Sequence, residues 1–596
     1  MSANGNGKPH AVAKAGPEAP PQIFRRLLPY VRRYLWLAVG ALAALVVVDL
    51  AQVVQPYLVK HAVDVNIAAR DLGGLARTAI FLAMVTVAGW LFQFLSGYGI
   101  QLLGQRLLLN LRMDLFRKVL GLSNDYFDRT PVGSTMTNLS NDLEALREFI
   151  AEGIVSTAGD LLKVAFILAA MLLIDWRLAL VAFVTIPLFV TATLLFRARI
   201  RSGFREVRKA NGEINVALSE TISGVREIHQ FGYEQPSRRS FAKNNTHYLD
   251  AYIKVVNAYA LFFPAIEIIT NASMIVTLVA AHFWVGVEVK IGEIFAFFAY
   301  INMFFFPLRQ LAEKFNLLQS ARAATERIFK LADEKVTVLS PPDVHGREVR
   351  RPAELVFEDV HFHYAPGSPV LKGLSFRVAS GEKVAIVGPT GSGKTTLISL
   401  VTRLYDVRQG RILLDGMDVR EIPLTRLRQA VATVPQDVFL FTGTVADNIS
   451  LHNPSADWRV VEHAAQEVRA NHFISRLPKG YAEDVGEEGR RLSEGQRQLL
   501  GLSRAFARDP GLVILDEATS NIDSETEHLI GEGIHRLLEG RTALIIAHRL
   551  STIRSADRIF VLQNGEIVQE GSHDDLVARD GLYRQLYEMQ SLLLAK

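Results

Sequence analysis

The sequence predicts a polytopic α-helical membrane domain, with six transmembrane helices and long cytoplasmic extensions, fused to an α/β domain. Two observations support this division of the 596 residues. Long apolar runs fill the first half, and the mean hydropathy of the whole chain is +0.18, which is high for a soluble protein of this size. The remainder alternates short apolar strands with amphipathic segments, as α/β domains do.

Six apolar runs are long enough to cross a membrane, because a hydrocarbon core of about 30 Å needs roughly 20 helical residues. They cover residues 34–56, 75–101, 150–174, 178–197, 258–284 and 292–318. The third and fourth runs are separated only by Asp175, Trp176 and Arg177, which predicts a tight turn. The long connections after the second and fourth runs have helical patterns, so we expect helices to continue beyond the membrane.

Arginine and lysine are concentrated before the first run and in the two long connections, whereas the short connections carry few. Connections rich in these residues stay on the cytoplasmic side. We therefore expect both termini and the α/β domain to be cytoplasmic. The lipid bilayer around the first domain is expected to be the bacterial inner (plasma) membrane.

Composition also predicts the domain boundaries. Residues 1–21 are polar and rich in Gly, Pro and Ala, which is typical of a disordered tail. The membrane domain is expected over 22–331 and the α/β domain over 354–596. Between them, residues 332–353 contain two adjacent prolines, a glycine and mixed charges, as linkers do.

The charge balance and the cysteine count exclude several classes of function. Lys plus Arg is 65 and Asp plus Glu is 61, so the net charge is only +4, and we expect no nucleic-acid partner. The chain contains no cysteine, which excludes disulfides, thiolate zinc sites, iron–sulfur clusters and cysteine nucleophiles.

Ionisable residues occur inside the apolar runs, where a charge is costly and needs a partner or a cavity. Asp160 and Lys163 are three residues apart, and we expect them to pair on one helix face. Asp49 and Glu267 have no local partner. Together with two aromatic residues of the sixth run, Phe298 and Phe305, they are candidates for the wall of a cavity that takes amphipathic substrates. The alternative for the aromatics is helix packing and lipid contact.

A glycine-rich loop follows an apolar strand and precedes a helix in EKVAIVGPTGSGKTTLISLV. It matches the pattern G-x-x-x-x-G-K-[ST], which predicts that its backbone N–H groups bind the phosphates of a nucleotide. Lys394 can reach the terminal phosphates, and Thr395 can bind Mg²⁺. The predicted nucleotide-binding residues, with ATP as the nucleotide that the family resemblance given below implies, are Gly388, Pro389, Thr390, Gly391, Ser392, Gly393, Lys394, Thr395 and Thr396.

Two further motifs follow. The apolar strand 512–515 ends in Asp516, placed to hold Mg²⁺, and in Glu517, placed to polarise an attacking water. Between this strand and the loop, Ser493 and Gly495 open a helix, which predicts a second anion site. Taken alone, these two motifs are also compatible with an ordinary strand end and an ordinary N-capped helix.

The order of all these motifs resembles that of the ATP-binding cassette (ABC) exporters, in particular a half-transporter with one membrane domain and one nucleotide-binding domain. The resemblance covers residues 22–590. It is carried by Tyr364, the loop 388–395, Gln436 in VPQDVFLF, Glu487 in VGEEG, the signature 492–496, the acid pair 516–517, the segment 520–523 and His548 in AHRLSTI. The membrane half contributes YFDRTPVGSTMTNLSNDLEALREF and SETISGVREIHQFGYE.

The resemblance implies roles for single residues. Tyr364 would stack on adenine, Gln436 would contact Mg²⁺ and the water, and His548 would hold the γ-phosphate. Ser493, Gly495 and Gln496 would contact the ATP bound mainly by a partner chain. It also implies an ATP hydrolase coupled to transport, a translocase in which ATP is held between two nucleotide-binding domains. Segments near 120–130 and 210–222 resemble the two coupling helices that rest on those domains.

One position departs from the family pattern. The signature usually reads Leu-Ser-Gly-Gly-Gln, and here Glu494 replaces the first glycine. Because Glu517 and His548 are retained, this combination resembles the catalytically intact subunit of a heterodimer, and we expect a second, different half-transporter as the partner. The alternative is a homodimer that tolerates Glu494.

The leading hypothesis is therefore an efflux pump or flippase for amphipathic or hydrophobic substrates, such as drugs or lipids. An importer with the exporter fold and a cassette-gated channel or regulatory subunit remain alternatives. A soluble cassette ATPase of the kind found in DNA repair is disfavoured by the six apolar runs.

Overall fold

The computed structural model describes residues 26, 28–283, 289–342, 349–453, 456–516, 523–546 and 553–594. For residues 308–313, 315–316 and 590–594 only the backbone is described. Contacts divide the chain into two compact units. The first, here the membrane unit, contains residues up to 120 and residues 133–333; the second, the nucleotide-binding unit, contains residues 121–132 and 334–596.

The membrane unit is helical throughout its described regular structure. Its helices are α1 (Leu35–His61), α2 (Leu72–Leu120), α4 (Val132–Thr137), α5 (Leu143–Glu148), α6 (Ser156–Ile174), α7 (Trp176–Phe183), α8 (Ile186–Ser223), α9 (Val225–Gln230), α10 (Glu234–Phe283) and α11 (Ile291–Ala332). The short helix α3 (Asn124–Arg129) lies between α2 and α4 in sequence but belongs to the other unit. Turns of π-helix, Ala62–Ile67, Asn138–Asp142 and Phe149–Val155, continue α1 and join α4, α5 and α6.

Five helical stretches among the described residues are long and apolar enough to cross a membrane. They are Leu35–Ile67, Leu72–Leu120, Val132–Ile174, Trp176–Ser223 and Glu234–Phe283. Each stretch contains one of the first five predicted runs, and most stretches extend far beyond the predicted bounds. Two end residues of the predicted runs fall outside them: residue 34, just before the first stretch, and residue 284, which is not described. The sixth predicted run lies in α11, whose apolar part is the shorter stretch Ile291–Pro307. The chain is thus a helical membrane protein with long extensions.

The turn predicted between the third and fourth runs is present at Asp175. This residue has an extended backbone between α6 and α7, and its carboxylate accepts hydrogen bonds from the amides of Arg177 and Leu178, at 2.8 and 3.3 Å. A capping aspartate satisfies the free amides at the start of a helix, so a single residue suffices to reverse the chain.

The segment 210–222, which resembles a coupling helix in sequence, is not a separate helix in the structure. These residues continue α8, which ends at Ser223, and the short helix is α9, after Gly224. Gly224 has φ −97° and ψ 21°, outside the helical region, and its amide closes the last turn on the carbonyl of Glu220. The helical pattern of the sequence runs through this point and does not mark the break at Gly224.

The predicted pairing of Asp160 with Lys163 was also wrong. Asp160 forms an ion pair with Lys314 of α11, and Lys314 also donates to the hydroxyl of Ser156 at 2.8 Å. Lys163 donates to the side-chain oxygen of Gln52 in α1. Lys314 therefore joins α11 to α6, and Lys163 joins α6 to α1. In a packed bundle a partner on a neighbouring helix can be as close as one on the same helix.

The nucleotide-binding unit contains two sheets. The strands are β1 (Leu355–His363), β2 (Pro369–Val378), β3 (Lys383–Val387), β4 (Gln409–Leu414), β5 (Met417–Asp418), β6 (Val431–Val434), β7 (Leu512–Asp516), β8 (Thr542–Ile546), β9 (Arg558–Gln563) and β10 (Glu566–Gly571). An antiparallel sheet has the order β2-β1-β4-β5, and a second sheet has the order β10-β9-β3-β8-β7-β6. In the second sheet all neighbours are parallel except β9 and β10.

Helices cover the second sheet and connect its strands. They are α12 (Lys394–Val401), α13 (Leu424–Ala430), α14 (Val445–Ser450), α15 (Trp458–Glu467), α16 (Asn471–Ile474), α17 (Glu494–Phe506), α18 (Ser524–Leu538), α19 (His573–Ala578) and α20 (Leu582–Leu594). Alternate residues of each central strand enter different cores: in β3, Val384 and Ile386 pack with the antiparallel sheet, and Ala385 and Val387 pack with α17 and α18. Such burial on both faces explains why these strands are continuously apolar.

The turn between β9 and β10 is a two-residue turn formed by Asn564 and Gly565, with φ of 53° and 86°. Asn-Gly is the pair preferred in such hairpins. The amide of Gly565 donates to the carbonyl of Ser392, and its carbonyl accepts from the amide of Lys372, both at 3.2 Å. The turn therefore ties β9 and β10 to β2 and to the loop before α12.

We expect Gly565→Ala to destabilise the nucleotide-binding unit more than Gly540→Ala. Both glycines have positive φ, so alanine costs about 1–2 kcal/mol of backbone strain at either position. A Cβ atom at Gly565 would lie 2.1 Å from the carbonyl oxygen of Val370, whereas one at Gly540 meets nothing within 4 Å. The clash adds roughly 1–3 kcal/mol. Thermal unfolding of both full-length variants in detergent measures the difference; equal midpoints would contradict the assigned contact.

Candidate nucleotide-binding site

The glycine-rich loop 388–393 joins the carboxyl end of β3 to the start of α12. Gly393, with φ 108°, is the residue before the helix, so the first amides of α12 point into the loop. These amides lack partners inside the helix and carry its positive dipole end, which makes the loop a site for an anion such as a phosphate.

Lys394 lies across this loop and is 8% exposed. Its Nζ atom donates to the carbonyl oxygens of Gly388 and Pro389, at 2.7 and 3.0 Å. Burial lowers the pKa of Lys394, and the negative charge of Asp516 opposes that shift. Among the described residues, the hydrogen bonds of this buried ammonium go to neutral carbonyls and the charge of Asp516 acts from further away, so an anion in the loop would be stabilised.

Ser392 provides a second indication that the loop fits a phosphate. It is 3% exposed, and among the described residues its hydroxyl oxygen has no hydrogen-bond partner. Buried hydroxyls are normally paired, because an unpaired one costs about 1–3 kcal/mol. A phosphate oxygen in the loop would supply the missing acceptor.

The loop is held from behind by β9 and the β9–β10 turn. A Cβ atom at Gly388 would lie 2.2 Å from the carbonyl oxygen of Leu562 in β9, so only glycine fits there. With the hydrogen bond from the amide of Gly565 to the carbonyl of Ser392, this contact restricts both ends of the loop. The amides are thus oriented in advance, which lowers the cost of binding.

Tyr364 directly follows β1 and is 45% exposed. Its hydroxyl is 3.1 Å from the hydroxyl of Thr396 in α12, which places the ring beside the loop. The ring also makes edge contacts with Phe362 and Tyr405, at centroid distances of 4.9 and 5.2 Å. Sequence reasoning did not single out Tyr405, because its position next to Tyr364 depends on the folding of residues 41 apart in sequence.

Asp516 ends β7, which pairs with β8, which in turn pairs with β3. Parallel strands end at the same edge of a sheet, so Asp516 lies at the edge where the loop follows β3, within electrostatic reach of Lys394. Glu517 and His548, the predicted base and γ-phosphate ligand, and residues 520–522 of the predicted motif lie outside the described residues.

Gln436 is exposed and follows β6 after Pro435. It lines an open cleft of about 520 Å³ whose other walls include Phe439, Glu494 and Arg497. Glu494 is half-buried, and the cleft also contains Glu488 and Arg490. The carboxylate that departs from the family signature therefore lies in a cleft with arginines of its own chain.

The signature forms the start of α17. The hydroxyl of Ser493 accepts from the amide of Gln496, at 3.3 Å, and the side-chain oxygen of Gln496 accepts from the amide of Ser493, at 3.0 Å. This reciprocal cap is the ordinary way to begin a helix. Because Ser493 accepts in the cap, its own proton stays available to donate to an anion, and Gly495 is buried beneath it.

The four candidates for a membrane cavity have different surroundings. Asp49 is 4% exposed, and its Oδ2 atom has no hydrogen-bond partner among the described residues. Glu267 is exposed and Phe298 half-buried. Phe305 is 2% exposed and packs on Phe189 at a centroid distance of 4.8 Å, so it belongs to the helix core.

Comparisons with known proteins agree with this arrangement. Residues 38–308 match the family described as the ABC transporter transmembrane region, and residues 371–520 match the ABC transporter family. An uncharacterized ABC transporter ATP-binding protein, YknV of Bacillus subtilis, is 35% identical over 95% of this chain and 94% of its own length. A fatty acid ABC transporter ATP-binding/permease protein of Mycobacterium bovis is 36% identical over 87% of this chain and 82% of its own.

A solved structure of a bacterial Atm1-family ABC exporter with ATP bound has a TM-score of 0.72 to this chain, with 29% identity, and the match covers 94% of this chain and 98% of the other. Both halves, their order and the whole length are therefore shared with such proteins. The chain belongs to the ABC exporter family, integral membrane proteins in which an ATP-hydrolysing domain drives export.

Proposed function

We propose that this chain is one half of an efflux pump or flippase, with six membrane spans, in the bacterial inner membrane. The sixth span would be the part of α11 that begins at Ile291. Both termini and the nucleotide-binding unit would be cytoplasmic, since the basic residues are concentrated in the long connections on that side. We keep the boundaries proposed from the sequence: a membrane domain over 22–331, a linker over 332–353 and a nucleotide-binding domain over 354–596.

The ATP site would be built on the loop 388–393. Two observations support this: the buried ammonium of Lys394 is hydrogen-bonded to neutral carbonyls, and the buried hydroxyl of Ser392 has no hydrogen-bond partner among the described residues. When the triphosphate binds, the Lys394 ammonium exchanges loop carbonyls for phosphate oxygens. Residues 388–396 would surround the phosphates, and Tyr364 would stack on the adenine. The bound ATP of the related exporter structure supports the same chemistry.

Mg²⁺ would be held by Thr395 and Asp516, with Gln436 as a third contact. Among the described residues no group of three or more His, Cys, Asp or Glu side chains could hold a metal, so phosphate oxygens and water would complete the coordination. The ion would supply charge stabilisation for phosphoryl transfer. Glu517, one residue beyond the end of β7, would accept a proton from the attacking water, and His548, two residues beyond β8, would hold the γ-phosphate.

Each ATP would lie between two nucleotide-binding domains. One chain supplies the phosphate loop, Asp516 and Glu517; the other supplies Ser493, Gly495 and Gln496 at the start of its α17. ATP then favours the closed pair over the open pair, and its hydrolysis removes that preference. A ligand shifts a conformational equilibrium only through such a difference in affinity.

The substrates would be amphipathic. Asp49 is a buried carboxylate with an unpartnered oxygen in an apolar helix, and Lys163, Asp160 and Lys314 lie on facing helices. Such groups within a membrane usually line a substrate or ion path. Glu267 and Phe298 would lie at its margins, and Phe305 would support the path from the core. The relative from Mycobacterium bovis is named for fatty acids, which are amphipathic.

The partner would be a second, different half-transporter. The argument is Glu494: the signature of this chain completes the ATP site whose loop belongs to the partner, so a carboxylate there alters the partner's site and leaves the site of Lys394 and Glu517 intact. A homodimer would instead place Glu494 at both sites.

We expect Lys394→Ala to weaken ATP binding by about ten- to a hundredfold, because a charged hydrogen bond to phosphate contributes roughly 1.5–3 kcal/mol. Lys372→Ala removes an exposed lysine from the same unit and serves as control. Equilibrium binding of a fluorescent ATP analogue to the purified protein measures both. Equal affinities for the two variants would remove Lys394 from the site.

We expect Glu517→Gln to lower ATP turnover by about 10²- to 10⁴-fold while ATP still binds, because the amide cannot accept the proton of the water. Glu525→Gln, at an exposed carboxylate in the first turn of α18, is the control. Steady-state phosphate release is the measurement.

The same variant separates a pump from a gated channel. In inside-out vesicles a pump would lose ATP-dependent accumulation of a cationic dye with Glu517→Gln, whereas a channel would keep a dissipative flux in ATP. Wild-type turnover by Glu517→Gln would sink the assignment of the base.

We expect this chain, expressed alone, to form no fully active dimer. In the complex with its partner, Glu517→Gln here should stop nearly all turnover, although there are two sites, and Glu494→Gly should change mainly the site on the partner's loop. Native mass measurement and ATPase assays on the chain alone provide the test. A stable homodimer with full turnover would refute the heterodimer.

A further inference from the structure

The short helix α3 connects two stretches of the membrane unit in sequence, yet its contacts assign residues 121–132 to the nucleotide-binding unit. Two contacts secure its start: the hydroxyl of Ser123 accepts hydrogen bonds from the amides of Thr337 and Val338, at 3.1 and 3.0 Å. These contacts involve the segment before β1 and no residue of the candidate nucleotide site.

A third contact leads from α3 to the nucleotide site. The carboxylate of Asp128, near the end of α3, accepts a hydrogen bond from the hydroxyl of Tyr405. The ring of Tyr405 meets the ring of Tyr364 edge to face, at a centroid distance of 5.2 Å and an interplanar angle of 87°. Tyr364 is in turn 3.1 Å from Thr396 through its hydroxyl.

The ring of Tyr405 is held on a second side by Phe362, at a centroid distance of 5.8 Å and an angle of 63°. Phe362 is 1% exposed and belongs to the core, whereas Tyr364 is 45% exposed. Phe362 is therefore fixed in the core, whereas Tyr364 borders the site. A movement of the Tyr364 ring would change the packing around the Tyr405 ring. Edge-to-face contacts are directional, which lets one ring orient the next.

We propose that Tyr405 is a positioning residue that orders α3 when a nucleobase lies on Tyr364. This rests on the proposed function of Tyr364 as the adenine platform. A stacked base restricts the Tyr364 ring, the edge contact then restricts Tyr405, and the Tyr405 hydroxyl is aimed at Asp128. The nucleobase, and not the phosphates, is the part of ATP that this route senses.

The test uses amide hydrogen exchange on the full-length protein, with two probes added separately at saturating concentration. A non-hydrolysable ATP analogue with Mg²⁺ carries the base, and tripolyphosphate with Mg²⁺ does not. We expect both to slow exchange in residues 388–395, and only the ATP analogue to slow it in 121–132, by about tenfold, as expected for one charged hydrogen bond that becomes persistent.

Tyr405→Phe keeps the ring and removes the hydroxyl, and Asp128→Asn removes the charge. In both variants we expect slowing by the ATP analogue at 388–395 to remain and slowing at 121–132 to be lost. Asp125→Asn is the matched control, because Asp125 pairs with Arg129 of its own helix at 2.6 Å, and this variant should behave as the wild type.

Two outcomes would overturn the inference: slowing at 121–132 that persists in Tyr405→Phe and Asp128→Asn, or equal slowing there by tripolyphosphate. The latter would make the contact a static anchor like that of Ser123. If neither probe slows exchange at 388–395 in the wild type, the proposed ATP site itself fails, which is a distinct result.

Discussion

The nucleotide-binding unit depends on one buried charge, the ammonium group of Lys394. Burying a cation costs several kcal/mol unless an anion or strong dipoles compensate it. The described fold offers two loop carbonyls and the more distant Asp516. Under the proposed function, the phosphates of ATP would supply the remaining compensation. The parallel order β3-β8-β7 brings Asp516 to this loop, and the β9–β10 turn is joined to the loop by the hydrogen bond from the amide of Gly565 to the carbonyl of Ser392.

The cost of burying a charge also shapes the membrane unit, but there several of the described charges are compensated within the fold. There the charges find partners within the fold: Asp160 meets Lys314, and Asp142 forms two hydrogen bonds with Arg327, at 2.5 and 2.7 Å. Each pair joins helices that are far apart in sequence. Asp49 and Asp64 each have one buried carboxylate oxygen without a hydrogen-bond partner among the described residues, and that of Asp64 lies 3.6 Å from the ammonium group of Lys60. Ion pairs of this kind join the helices, and under the proposed function the unpartnered oxygen of Asp49 is a candidate contact for a transported molecule.

The features that could be predicted from the sequence are local. Three kinds of structure depend only on residues that are close together in sequence: a membrane-spanning helix, the turn at Asp175 and the glycine-rich loop before Lys394. The features that could not be predicted join distant segments. The pairing of Asp160 with Lys314 spans 154 residues, and that of Tyr405 with Asp128 spans 277. The break between α8 and α9 at Gly224 is not marked in the sequence, because the helical pattern continues on both sides of it.

These long-range contacts matter because they assign different parts of one ligand to different parts of the protein. The phosphates would be bound by the loop of one chain and the signature of the other, so they report whether two domains have met. The base would be bound by Tyr364 of one chain alone, and through Tyr405 it would report to α3 of that same chain. Occupancy and closure are then separate signals. In a heterodimer with two unequal ATP sites, such as the one proposed, a site that keeps its ATP would keep its own α3 ordered whether or not the two domains are in contact.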